Sequence, residues 1–142
     1  RKLMWIKLMI LTISAILTTA CGGANSSNNA NSTEIKPMPV GALMSEYKNS
    51  KDETVKKYTG KTLTVKGYTS IAPIMPKGAD DTGILSLMEK GGDMLLMLTC
   101  QFKQSDQAAF SAIKGDQTVI VTGVFDDSIS TALKDCKIIK ID

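Results

Sequence analysis

The chain has no histidine. The commonest general base and metal ligand is therefore missing, which weighs against most hydrolytic and metal-dependent chemistries. No serine sits in a Gly-x-Ser-x-Gly elbow, and no phosphate loop is present; Lys90-Gly91-Gly92-Asp93 reads as a turn. Aromatics are only 5% of the residues, thin for a base-stacking platform. Three cysteines occur with no Cys-x-x-Cys pair, which argues against a thiol redox site. No apolar run is long enough to span a bilayer, since a spanning helix needs about 20 residues and the stretch from Leu8 to Leu17 has ten.

What is present begins with that short apolar stretch. Arg1, Lys2 and Lys7 precede it, Thr18-Thr19-Ala20 follow it, and then comes Cys21. The arrangement resembles a bacterial lipoprotein signal, with residues 1–20 removed and Cys21 taking the lipid, palmitate included. The alternatives are a retained N-terminal helix, or cleavage after Ala20 without lipid. Thr18 stands where such signals usually have Leu, and the chain opens on Arg1 rather than methionine, so the expectation is either a lost first residue or a start that is not the natural one. Residues 21–36 form an Asn/Ser-rich tether with no core-forming pattern. Its twelve residues from Gly22 to Thr33 would span roughly 20 Å r.m.s.. The expected location is the bacterial cell envelope. Gly22 is not the acidic residue that retains many lipoproteins in an inner membrane, so a diderm host would hold the protein in the outer membrane, facing the periplasm.

The formal charge of +3 comes from the signal: of 17 basic residues three lie in it, leaving 14 against 14 acidic ones. A neutral domain with no basic run beyond Lys56-Lys57 is not expected to bind nucleic acid through its backbone charge.

Residues 37–142 suit one domain with one core. Val40, Leu43, Met44 and Tyr47 fall at i, i+3, i+4 and i+7, and Val55 and Tyr58 extend the stripe. A helix over Val40–Tyr58 follows, kinked or broken after Asn49-Ser50. Alternation then predicts strands at Thr62–Ile71, Gly83–Glu89 and Met94–Phe102. A helix capped by Ser105 comes next, with Ala109, Phe110 and Ile113 on its apolar side. Strands at Thr118–Phe125 and Thr131–Ile141 complete the domain. Gly67 and Gly123 sit inside strands, where a chain bends sharply. Three strands, a helix and two strands is the plan of a mainly β, five-stranded OB-fold Greek-key barrel, here with an N-terminal helix. An open α+β sheet is the alternative.

The residues also carry a family resemblance. Tyr47 and Asn49, Lys57-Tyr58-Thr59-Gly60-Lys61, Leu63-Thr64-Val65-Lys66-Gly67, Cys100-Gln101-Phe102, Ile113-Lys114-Gly115-Asp116, Val121-Thr122-Gly123 and Leu133-Lys134-Asp135-Cys136-Lys137-Ile138 together resemble the tRNA_anti-like family of OB-fold lipoproteins. The resemblance runs from Leu43 to Ile139. It implies the OB-fold and says little of function. The family name records a likeness to anticodon-binding domains and implies no tRNA binding by an exported protein.

Cys100 and Cys136 lie on strands that neighbour each other in an OB barrel. They can close a disulfide, which persists in an exported protein, or stand as two buried thiols. OB-folds bind ligands on their second and third strands and on the first and fourth inter-strand loops. The candidate binding residues are Lys66, Tyr68, Met75, Lys77 and Asp127. Asp80-Asp81 and Asp126-Asp127 are expected at one end of the barrel, where together they could hold a hard cation. The other reading is solvated turn acids. The eight methionines form no Met-rich cluster and read as core filling. These features point to a non-catalytic, lipid-anchored envelope protein, without cofactor, whose OB-fold binds an envelope protein or a small ligand. Oligonucleotide binding and a cation-stabilised structural role are the alternatives.

Overall fold

The computed structural model describes residues 36–142. The expected export signal, Cys21 and nearly all of the tether lie outside the described residues.

The domain opens with a two-residue strand β1 (Met38–Pro39), followed by helices α1 (Val40–Asn49) and α2 (Lys51–Tyr58). Strands β2 (Thr62–Thr69), β3 (Thr82–Leu87) and β4 (Leu98–Lys103) come next. A 3-10 turn at Gln104–Asp106 leads into α3 (Gln107–Phe110), and β5 (Gln117–Asp126) and β6 (Ala132–Ile141) complete the chain. Six strands form one sheet in the order β1-β2-β5-β6-β4-β3. The parallel β4-β6 pair and the antiparallel β2-β5 and β5-β6 pairs make the architecture mainly β and OB-like. At the other side of the sheet, Tyr68 at the end of β2 and Met88 just past β3 exchange two backbone hydrogen bonds of 2.8 Å.

Alternation builds the core. Val65, Gly67 and Thr69 of β2, Leu85 and Leu87 of β3, Leu98, Cys100 and Phe102 of β4, and Val119, Val121 and Phe125 of β5 all point inward. Gly83 is required by a close approach. A Cβ there would stand 2.2 Å from Cζ of Phe102, whose ring lies over it and stacks on Phe110 at 3.8 Å. Gly123 is similarly confined, because a Cβ would come within 3.0 Å of the Cys136 sulfur and of Leu133 and Lys134. Opposite it the β5-β6 register shifts, and Asp135 takes a positive φ of 51°. Cys100 and Cys136 are fully buried and joined in a disulfide, with Cα atoms 6.0 Å apart.

Three expectations need correction. The sheet has a sixth strand: Met38–Pro39 pairs parallel to Val65-Lys66 at the edge, where proline is tolerated because it needs no further ladder donor. The break expected after Asn49-Ser50, by contrast, is present: Ser50 leaves helical geometry (φ −148°, ψ 70°) and separates α1 from α2. Glu46 bridges the break, accepting from Lys57 Nζ at 2.6 Å and from the Tyr58 hydroxyl at 3.0 Å. The third predicted strand begins at Leu98, not Met94. The β3 ladder ends at Leu87, and Met88 turns to Tyr68, so residues 94–97 have no strand to pair with. The helix predicted from Ser105 shrinks to a 3-10 turn and four α-helical residues. Ser105 makes no capping bond and Ala109 is exposed, while Phe110 and Ile113 are buried as expected.

Candidate functional site

A groove of about 380 Å³ crosses the outer surface of the β3-β4 pair. Thr82 opens β3, and Gln101 and Lys103 are the outward positions of β4, alternating with buried Cys100 and Phe102. The β5-β6 connection supplies Ile129 and Ser130, and Lys134 and Asp135 of β6 form the far wall. In OB-like terms the groove takes in the third strand, the first residue of the second, the early part of the fifth and the fourth loop, which overlaps the surface such folds use for ligands.

The groove's charges are paired. Lys103 Nζ meets Asp135 Oδ1 at 2.8 Å and Lys134 Nζ meets Asp126 Oδ2 at 2.7 Å. The Lys103 hydrogen bond is the main reason the Asp135 carboxyl lies below its ordinary value, and the same bond raises Lys103. Asp126 is lowered first by Lys134 and then by the Ser128 hydroxyl, which donates at 2.6 Å. Each of these shifts favours the charged form, an arrangement suited to charge pairing rather than to proton transfer at neutral pH.

The predicted binding residues do not form one face. Lys66 and Tyr68 line a different, smaller cleft of about 200 Å³, together with Pro39, Gly41, Glu89 and Lys90. There the Tyr68 hydroxyl donates to Asp116 Oδ1 at 2.5 Å, which raises the tyrosine's pKa, and Lys90 lies 5.7 Å from the ring centroid. Met75 is half-buried and packs against the core. Lys77 is exposed in the β2-β3 loop, where its backbone N–H donates to Asp81. Asp127 faces α1, accepting from Tyr47 and Thr131, with Lys51 Nζ at 3.4 Å.

The two aspartate pairs do not meet as expected. The β2-β3 loop leaves the sheet beside Gln117, which pairs Thr69, whereas Asp126-Asp127 close β5 beside Thr62, which pairs Val124. The antiparallel register thus sends the two loops out of opposite ends of that strand pair. Asp81, Asp126 and Asp127 are each used by neighbouring donors. Among the described residues, no three His, Cys, Asp or Glu side chains gather in a way that could hold a metal.

Sequence reasoning missed Gln101, Lys103, Ile129 and Lys134 as groove residues. The outward parity of the third strand carried the signal for the first two. Ile129 lies in a short polar loop and carried none.

The sheet order and strand directions are those of an OB-like domain. The chain belongs to the tRNA_anti-like family, whose model matches residues 1–137. Among solved structures it is similar to a lipoprotein from Klebsiella pneumoniae subsp. pneumoniae MGH 78578, provisionally named nucleic acid-binding. The TM-score is 0.64 at 16% identity, over 83% of this chain and 98% of that one. At that identity the likeness speaks for the fold. No curated protein matches the chain in sequence.

Proposed function

We propose that this is a lipid-anchored protein of the bacterial cell envelope whose domain is a closed five-stranded OB barrel. The barrel is non-catalytic and binds an envelope protein or small ligand in the β3-β4 groove. The Tyr68-Met88 backbone exchange supports closure, since it links the two sides of the sheet, with β1 as an added edge strand. The observation that carries the binding reading is the groove itself. It joins the outward face of β4 to an exposed loop residue, Ile129, and its walls hold two balanced ion pairs. Such a surface suits a ligand with polar groups of both signs and an apolar contact, more than a polyanion. The lipobox-like segment ending in Cys21 and the lipoprotein name of the structural neighbour support the anchor. Crosslinking in cells through a C-terminal tag, beside a Cys21→Ser control, tests the reading. A specific partner recovered with the intact protein supports a tethered adaptor. No partner in either form, with no ligand-induced thermal stabilisation, contradicts it.

Oligonucleotide binding is the second reading, favoured by the neighbour's provisional name and the barrel. It requires salt-sensitive association with single strands, and absence of binding at low salt ends it.

A further inference from the structure

Strands β1, β2, β4 and β6 all run the same way. β1 is parallel to β2, β2 and β6 are both antiparallel to β5, and β4 is parallel to β6. The segments that lead into these strands therefore lie at one end of the sheet. Three of them matter together. The chain arriving from Cys21 enters at β1. The turn before β4 exposes Met94 (67%), Leu95 (89%) and Met97 (40%), and the loop before β6 exposes Ile129 (96%).

The turn is built rather than frayed. Asp93 Oδ1 accepts the Leu95 N–H at 2.8 Å and the Leu96 N–H donates to the Asp93 carbonyl at 3.0 Å, while Leu96 packs against the core as a root. Thr99 fixes its neighbour: it pairs with Ala132 and its N–H donates to the Thr131 carbonyl, so the turn before β4 and the loop before β6 are held side by side. The entry point is close as well. Pro39 and Gly41 share a cleft with Glu89 and Lys90, the residues from which the loop to Met94 departs.

We propose that the Met94–Met97 turn dips into the surface of the bilayer to which the chain is tethered. This rests on the lipid-anchor reading. Exposed Leu and Met side chains on one turn gain by leaving water for a fluid apolar phase. The tether makes the encounter local. Fourteen residues lie between Cys21 and Lys36, a span of roughly 20 Å r.m.s., and the chain enters at the same end as the apolar tip. Insertion would then hold the domain in one orientation, with the far ends of β2 and β6 turned away from the membrane.

The processed chain from Cys21 has no tryptophan, since Trp5 is the one in the sequence. A Leu95→Trp variant purified from membranes and placed in vesicles with brominated acyl chains therefore reports depth directly. The expected result is a blue-shifted, strongly quenched indole, with an Ile139→Trp control, exposed at the far end of β6, left unquenched. Vesicle flotation and the mass of the Cys21 peptide read the anchor separately. An anchored protein with equal, weak quenching at both positions overturns the insertion and leaves the anchor standing. If Cys21 carries no lipid, quenching at saturating vesicles still decides: selective quenching at position 95 supports insertion, and its absence overturns it. A dimer in solution that Leu95→Asp abolishes would instead assign the patch to a second copy, and would also overturn the proposal.

Discussion

The Tyr47 hydroxyl donates a hydrogen bond to Asp127 Oδ1 at 2.7 Å, joining groups 80 residues apart. It fixes helix α1 to the loop between β5 and β6, the loop that also carries Ile129 into the groove. Thr131 donates to the same oxygen at 3.1 Å, and Lys51 lies 3.4 Å from Oδ2. Asp127, expected from sequence as a ligand contact, thus serves as the post that positions its own loop.

Tyr47→Phe removes the hydroxyl and leaves the ring. A hydrogen bond of this kind contributes roughly 1 kcal/mol, so the melting temperature is expected to fall by about 4–8 °C. Calorimetry checks this, and a variant that melts with the wild type would show the bond to be dispensable.

Asp127 gives the domain an acid-sensitive contribution. Burial pushes its carboxyl up, but hydrogen bonds from Tyr47, Thr131 and Lys51 outweigh that, and the net shift is below the ordinary value of 3.8. A lowered folded pKa means stability that is present above the unfolded value and lost as pH falls through the folded one. Asp127→Asn is therefore expected to be less stable than the wild type at pH 7, with the gap closing below about pH 4. Denaturant midpoints at pH 7 and pH 3 measure it. A gap that stays constant would contradict the assignment.

Gly83→Ala puts a methyl into the Phe102 ring, with 2.2 Å to Cζ. Both Phe102 and its stacking partner Phe110 are fully buried, so neither can swing away freely. A loss of about 1–3 kcal/mol is expected from overpacking, read as a shifted denaturant midpoint at unchanged slope.

Thr54 is fully buried in α2, and its hydroxyl has no hydrogen-bond partner. Thr54→Val keeps the shape and removes the unsatisfied group, so a gain of roughly 1 kcal/mol is expected. A loss of stability would mean that the hydroxyl has a partner in solution, such as water.

The Cys100-Cys136 bond closes a separation of 36 residues inside the core. Reduction, or the Cys100→Ala/Cys136→Ala pair, is expected to cost about 2–4 kcal/mol. Thiol titration of the unfolded oxidised protein should find neither cysteine free; two titrating thiols would contradict the bond.

Much of the fold is legible where periodicity meets burial. The alternation expected over β2 appears as buried Val65 beside exposed Lys66, and the bend expected at Gly123 coincides with a shift in the β5-β6 register, whereas β2 runs through Gly67 in regular register. The failures share a cause: pairing partners are not local. Met94 to Met97 read as strand because they are apolar, yet β3 has already left them without a partner, and the run is an exposed turn. Met38-Pro39 is too short to show any period and becomes a strand only because β2 offers it an edge. For the site, Lys66 and Tyr68, expected among the binding residues, line a cleft apart from the groove. The tertiary register, not the sequence pattern, decides which outward faces converge.

A photo-crosslinking residue placed at Gln101, in the floor of the groove, tests the central claim most directly when compared in living cells with one at Ile139. The binding account predicts a discrete adduct with an envelope component from Gln101 and none from Ile139, and its loss in a Lys103→Glu variant that melts like the wild type. Equal, diffuse labelling from both positions, or a specific adduct only from Ile139, would contradict the groove as the binding site.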